Sequence, residues 1–155
     1  MPTLVKAVRA AVLVALSAAL LSITVPAGTA EAASAVQFGT FVNDPSGADR
    51  YGDNRQLNRE TIVLRNTTNK TVNIGGYRVK DKQGHTYVVP KNFKLGKKAS
   101  VTLHTGKGKN SSKHLYWNQR NYVWNNTGDT AKLYPAKGSK ALDTCSYKKG
   151  GTTKC

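Results

Sequence analysis

The stretch Leu57-Asn58-Arg59-Glu60-Thr61-Ile62-Val63-Leu64-Arg65-Asn66 reads as a strand over 61–66. Ile62 and Leu64 stand two residues apart and so share one face of a pleated chain. Working outward from it, short β-type runs recur on both sides, and no long 3.6-residue apolar period appears from Val36 onward. The runs are 36–42 (Val36 and Phe38 set against Phe41), 71–74, 77–80, 85–89, 100–104 (Val101 and Leu103 on one face), 122–124, 130–134 and 141–147. Clusters such as Asp44-Pro45-Ser46-Gly47, Gly75-Gly76, Lys82-Gln83-Gly84, Asn126-Thr127-Gly128-Asp129 and Lys137-Gly138-Ser139 separate them; their residues tolerate positive φ or form local side-chain turns. Short strands at this spacing predict an all-β sandwich. The polar segment 44–59 predicts a long surface loop or a short 3₁₀ piece.

The chain has 155 residues, room for one domain beyond its leader. Lys6 and Arg9 precede an apolar run over 10–25, which Pro26 and Gly28 break ahead of the small-residue stretch Ala30-Glu31-Ala32-Ala33. That order predicts a signal peptide over 1–32, cleaved after Ala32 with Ala30 and Ala35 as alternative sites, and 33–155 as the exported domain. The run is shorter than the roughly 20 residues that span a bilayer, so the expected mature chain carries no transmembrane segment and is secreted, extracellular or wall-associated. Taking Lys6, Arg9 and Glu31 from the 24 basic and 8 acidic side chains leaves 22 and 7, a net charge of +15. Cys145 and Cys155 are the only cysteines. An oxidising exterior favours a disulfide between them; two free or metal-binding thiols are the competing reading, although two Cys without nearby His are too few ligands for zinc.

The opening stretch, followed by Val72-Asn73-Ile74-Gly75-Gly76-Tyr77-Arg78-Val79-Lys80-Asp81, resembles the start of a lamin-tail-type domain, an E-x-V-x-I/L-x-N strand, a turn and a hydrophobic strand reaching G-W/Y. Val101-Thr102-Leu103-His104-Thr105-Gly106-Lys107-Gly108, Leu115-Tyr116-Trp117 and Val123-Trp124-Asn125-Asn126-Thr127-Gly128-Asp129 are similar to the second half of that domain in exported Gram-positive bacterial members, and Cys145 and Cys155 fit them too. Tyr77 stands where Trp is frequent. The resemblance implies an immunoglobulin-like β-sandwich over 36–155 that serves as a non-catalytic attachment or interaction module, often appended to exported nucleases and other hydrolases. It carries over no catalytic residue and no cofactor. Its motif residues Gly76, Tyr77, Gly106, Trp117, Trp124, Asn126, Gly128 and Asp129 read as architecture, with Trp124 and Tyr77 giving core area and Asn126, Gly128 and Asp129 shaping a tight turn.

His85, His104 and His114 have the chemistry of acid–base groups or metal ligands, but they lie 19 and 10 residues apart, without the H-x-x-x-H spacing that places two imidazoles on one helix face. They read as ordinary strand or surface histidines. Asp44, Asp49 and Asp53 lack the alternating spacing of a calcium loop and read as carboxylates pairing with Arg50 and Arg55. Three lysine groups stand out: Lys91, Lys94, Lys97 and Lys98; Lys107, Lys109 and Lys113; and Lys148, Lys149 and Lys154. They read either as a solvated basic face that only keeps the protein soluble or as polyanion contacts, and on the second reading the expected partners are an anionic polymer, wall polymer or nucleic acid bound without sequence preference, or an exported protein. Lys94, Lys97, Lys98, Lys107, Lys109 and Lys113 are the candidate contacts, with Tyr116, Trp117, Arg120 and Tyr122 available to stack on bases or sugars. The alternative is a small exported nuclease or other hydrolase that uses one of the histidines with Glu60 or an Asp.

Overall fold

The computed structural model describes residues 34–155; the expected signal peptide, its cleavage site and the 32/33 domain boundary lie outside them. One sheet runs β11 (Thr152–Lys154), β1 (Val36–Val42), β2 (Thr61–Asn66), β7 (Ser100–His104), β8 (His114–Tyr116). The other runs β10 (Asp143–Tyr147), β9 (Asp129–Tyr134), β4 (Arg78–Lys80), β5 (Thr86–Val88), and β3 (Val72–Asn73) pairs separately with β6 (Lys94–Leu95). Pairing is antiparallel except between β7 and β8. The fold is an immunoglobulin-like β-sandwich. One apolar core holds Phe41, Ile62, Leu64, Leu103 and Leu115 from the first sheet and Val79, Tyr87, Leu133 and Tyr147 from the second.

Strand β2 lies at the centre of the first sheet, and its inward row is longer than its apolar residues suggest. Glu60, Ile62, Leu64 and Asn66 alternate along the chain and are all 0 or 1% exposed. Ile62 pairs across to Leu103 and Leu64 to Val101, while the two polar ends of the row tie down loops. The Asn66 amide donates to the carbonyls of Lys70 (2.7 Å), Leu95 (3.1 Å) and Gly96 (2.8 Å), and its oxygen accepts from the Thr68 backbone N–H (2.9 Å). These bonds fasten the β3–β6 ribbon to β2, because buried polar groups left unpaired would each cost free energy.

In β1, strict alternation would put Phe41 on the face opposite Phe38. The register instead shifts between them, Phe38 pairing with Leu64 and Phe41 with Ile62, so a bulge returns both rings to the core, where they are 4% and 0% exposed. Phe41 then starts an aromatic chain. It meets Trp124 edge-on at 4.7 Å and Tyr147 at 5.4 Å; Trp124 meets Trp117 at 5.9 Å, and Trp117 meets Tyr87 at 5.8 Å. Tyr77 packs on the core from its margin.

The run 122–124 is not a strand. The N–H groups of Val123 and Trp124 bond to the Glu60 carboxylate, so a side chain takes the place of a neighbouring strand. Within 44–59 the structure has one turn of α-helix, α1 (Asn54–Leu57), in place of a 3₁₀ piece, with Asp53 as its N-cap accepting from the N–H groups of Arg55 and Gln56.

The chain turns at 125–128, where the Gly128 N–H donates to the Asn125 carbonyl (3.1 Å), while the Asn126 amide leaves the turn for Asp49. The Asp129 carboxylate accepts from the backbone N–H groups of Lys82 (3.1 Å), Asn125 (3.3 Å) and Thr130 (2.7 Å), and the Tyr147 hydroxyl donates to the Asn125 carbonyl (2.9 Å). Gly128 sits at φ +123°, and a Cβ there would stand 3.0 Å from the Tyr147 carbonyl oxygen. Gly128→Ala therefore combines an unfavourable φ with a close contact, and we expect it to cost about 1–3 kcal/mol in urea unfolding. Gly138→Ala, also at positive φ but with open space around the added methyl, is the control and should cost less.

Candidate functional site

Lys94, Lys97, Lys98, Lys107, Lys109 and Lys113 are all exposed. Lys94 lies in β6 and Lys97 and Lys98 in the turn before β7, while Lys107, Lys109 and Lys113 belong to the segment 105–113 between β7 and β8. The parallel pairing of β7 with β8 brings part of the two groups together: Lys94 and Lys113 line one surface groove of about 510 Å³ with Gly96, Ser100, Thr102 and His114. Lys97, Lys107 and Lys109 are not in its lining. Lys98 has a structural task, since its ammonium donates to the Thr67 carbonyl and its backbone takes φ +55°. Lys148 lines a separate cavity with Lys82, Gly128 and Tyr147.

The 105–113 segment is held from below. The carbonyl of Lys107 accepts from the amides of Asn54 (3.0 Å) and Asn58 (2.9 Å), its N–H donates to Asn54 Oδ1, and the Tyr116 N–H donates to Asn110 Oδ1 (2.9 Å). Gly106 is required for that approach, because a Cβ would stand 2.5 Å from Asn58 Oδ1. The one-turn helix α1 thus fixes the base of a lysine-bearing loop.

The stacking set divides. Trp117 is buried in the aromatic chain and cannot stack on a base. Tyr116 lies half-buried against His104, with ring centroids 4.8 Å apart and planes 15° from parallel. The Tyr122 hydroxyl is hydrogen-bonded to the Arg50 backbone.

His104 and His114, which sequence spacing keeps apart, are in contact. In the β7–β8 register Thr102 stands opposite His114 and His104 opposite Tyr116, so the two imidazoles are diagonal neighbours on one face, with His104 Nε2 2.9 Å from His114 Nδ1. His104 Nδ1 lies 2.7 Å from the Asn58 carbonyl oxygen. A carbonyl only accepts, so Nδ1 carries the hydrogen and the neutral ring turns its Nε2 lone pair toward His114. Burial, and then the neighbouring His114, hold His104 below the usual imidazole range, partly offset by the Asn58 carbonyl. His85 is elsewhere, its Nδ1 against the buried Asp81 carboxylate at 2.5 Å.

Glu60 is 0% exposed. Its two oxygens accept from the N–H groups of Val123 and Trp124, each at 3.1 Å, and the Thr105 hydroxyl adds a third bond. Burial pushes its pKa up to about 7 against the pull of these donors. With every lone pair facing protein, the carboxyl acts as an internal tie and does not reach the His104–His114 pair through any hydrogen bond.

Asp44, Asp49 and Asp53 do not converge. Asp53 caps α1, Asp49 accepts from the Asn126 amide (3.0 Å), and Asp44 lies over Gly150. Backbone and amide donors occupy the Asp53 and Asp49 carboxylates where their own arginines were expected. Among the described residues no group of three or more His, Cys, Asp or Glu side chains is gathered to hold a metal ion, and no helix is long and apolar enough to cross a membrane. Cys145 and Cys155 form a disulfide.

A comparison with curated proteins gave no match. The family model described as Lamin Tail Domain matches residues 29–149, and the chain belongs to that family.

Proposed function

From membership of the lamin tail domain family we propose that this chain is an exported, non-catalytic binding module whose basic face contacts anionic polymers, wall polymer or nucleic acid, without sequence preference. The observation that carries this reading is the groove between β6 and β8, where Lys94 and Lys113 from two separate lysine groups face one space on a chain of net charge +16. Ammonium groups attract phosphate as point charges and need no shaped pocket. The flanking Lys97, Lys107 and Lys109 extend the same field, which falls off over about 10 Å at 0.1 M salt.

The test is the salt dependence of binding to duplex DNA. Each phosphate contact adds about 0.9 to the magnitude of the log K against log salt slope. Replacing Lys94 and Lys113 together by Gln should therefore flatten the slope by about 1.8 units. Unfolding should be unchanged, since exposed lysines contribute little to stability. A slope that stays at the parent value in this variant, and in Lys97→Gln/Lys107→Gln/Lys109→Gln, would place the binding surface elsewhere.

A second reading, hydrolysis of a phosphodiester, draws on the His104–His114 contact, which sets a lone pair beside a ring N–H close to Lys113. Turnover of nucleic acid that vanishes in His104→Ala or His114→Ala would favour it over the binding module.

A further inference from the structure

The groove reading uses His114 only as part of a wall and leaves the His104–His114 contact without a task. We propose that His104 Nε2 and His114 Nδ1 together chelate a divalent first-row transition-metal ion, with copper(II) or nickel(II) preferred to zinc. The inference stands independently of polymer binding.

Three observations carry it. First, the Asn58 carbonyl fixes the His104 tautomer with Nε2 as the unprotonated nitrogen, the same outer hydrogen bond that orients histidine ligands in metal sites. Second, the His104 ring and the His114 backbone are positioned. His104 stacks on Tyr116, and the backbone of His114 is pinned by a hydrogen bond from its N–H to Ser111 Oγ (3.1 Å) and by the Ser111 N–H donating to its carbonyl (2.8 Å). Third, the nitrogens are 2.9 Å apart. Two metal–nitrogen bonds of about 2.0–2.1 Å span about 2.9 Å when they meet at a right angle and about 3.3 Å at the tetrahedral angle. The spacing therefore suits a tetragonal ion, and among divalent ions copper also stands highest in affinity for nitrogen ligands.

For binding, the hydrogen on His114 moves from Nδ1 to the solvent-side Nε2, and the His–His hydrogen bond is exchanged for two bonds to the metal. The disulfide leaves no thiolate to compete. The other coordination positions face solvent and would hold water or an anion, and nearby lysines oppose the incoming charge, so the ion must compete on nitrogen affinity alone.

The experiment titrates the full disulfide-bonded chain with Cu²⁺, Ni²⁺ and Zn²⁺ in the absence of polymer, with calorimetry for affinity and electron paramagnetic resonance for the Cu²⁺ ligands. One equivalent of Cu²⁺ should give a spectrum with two imidazole nitrogens, and affinity should fall in the order Cu²⁺, Ni²⁺, Zn²⁺. His114→Ala, at an exposed position outside the core, should weaken Cu²⁺ binding at least about tenfold, the lower end of the losses seen when metal sites are disturbed. His104→Ala should do the same, and His85→Ala should change nothing. Wild-type affinity no greater than that of His114→Ala, or a spectrum with a single imidazole, would reduce the pair to a hydrogen bond and overturn the proposal. Zn²⁺ binding tighter than Cu²⁺ would overturn the assigned geometry.

Discussion

Glu60→Ala is expected to destabilise the domain by about 3–5 kcal/mol, a large part of the 5–15 kcal/mol that holds a typical domain together. The substitution leaves the buried N–H groups of Val123 and Trp124 without an acceptor and removes the partner of the Thr105 hydroxyl. Each orphaned buried donor costs about 1–3 kcal/mol. The loss also releases the segment that carries Trp124, the ring in edge contact with both Phe41 and Trp117. Glu60→Gln keeps the shape but turns an NH₂ toward one of the two donors, so it should cost less, about 1–3 kcal/mol.

The pH dependence separates the charge from the shape. The folded pKa of Glu60 is about 7 and its ordinary value 4.5, so the folded chain binds the proton more tightly than the unfolded one. Its contribution to stability is therefore fully present below pH 4.5, declines as pH rises toward 7, and is constant above that. The decline amounts to about 3 kcal/mol. Glu60→Gln has no such titration, so between pH 4.5 and 8 wild type should lose about 3 kcal/mol relative to it, enough to close or reverse a gap of about 1–3 kcal/mol. Urea unfolding of both proteins at pH 4.5, 6 and 8 measures it. A gap that does not change with pH would show that Glu60 stays ionised, with the three donors outweighing burial.

Glu60 also marks how far the sequence could be read. The alternation of Ile62 and Leu64 showed the strand, and the same alternation runs through Glu60 and Asn66, but polar side chains at the ends of an apolar row ordinarily signal its exit to solvent. Only the folded loops show that each has buried partners. The runs 61–66 and 100–104 match β2 and β7 to the residue because both lie inside the sheet, where the inward pairs Ile62–Leu103 and Leu64–Val101 are apolar. Strands β6, β8 and β11 escaped notice for the opposite reason: Lys94–Leu95, His114–Tyr116 and Thr152–Lys154 are short margin or edge pieces set by pairing and loop closure, with little apolar pattern of their own. Trp117 reads in the sequence both as architecture and as a stacking ring, and its burial leaves only the first, because an aromatic among basic residues looks the same in sequence whether it faces solvent or core. The His104–His114 contact depends on a parallel register between β7 and β8, which no local spacing encodes.

Removing the Cys145–Cys155 disulfide is the second large effect, expected to cost about 2–5 kcal/mol. The bridge spans a sequence separation of 10, and cross-linking a loop of that size removes about 3 kcal/mol of unfolded-chain entropy in the simple model. Its position adds a local consequence. Cys145 belongs to β10 in one sheet, while Cys155 follows β11 in the other, so the bond clips the two layers together at the point where the chain crosses between them. Strand β11 is an edge of three residues paired to β1 through Thr40, Phe41 and Val42, and few other contacts hold it. Asn43 helps, its oxygen accepting from the Gly151 N–H (2.9 Å) and its amide donating to Thr153 Oγ1 (3.1 Å), but it grips only the start of the strand. In Cys145→Ala/Cys155→Ala the end of β11 should detach first and bare the β1 edge, a row of unpaired backbone groups that invites pairing between chains. Hydrogen exchange should then show β11 amides losing protection under conditions where β2 and β7 keep theirs, together with association that grows with protein concentration. Uniform loss of protection across both sheets would show instead that the bridge acts through global stability alone.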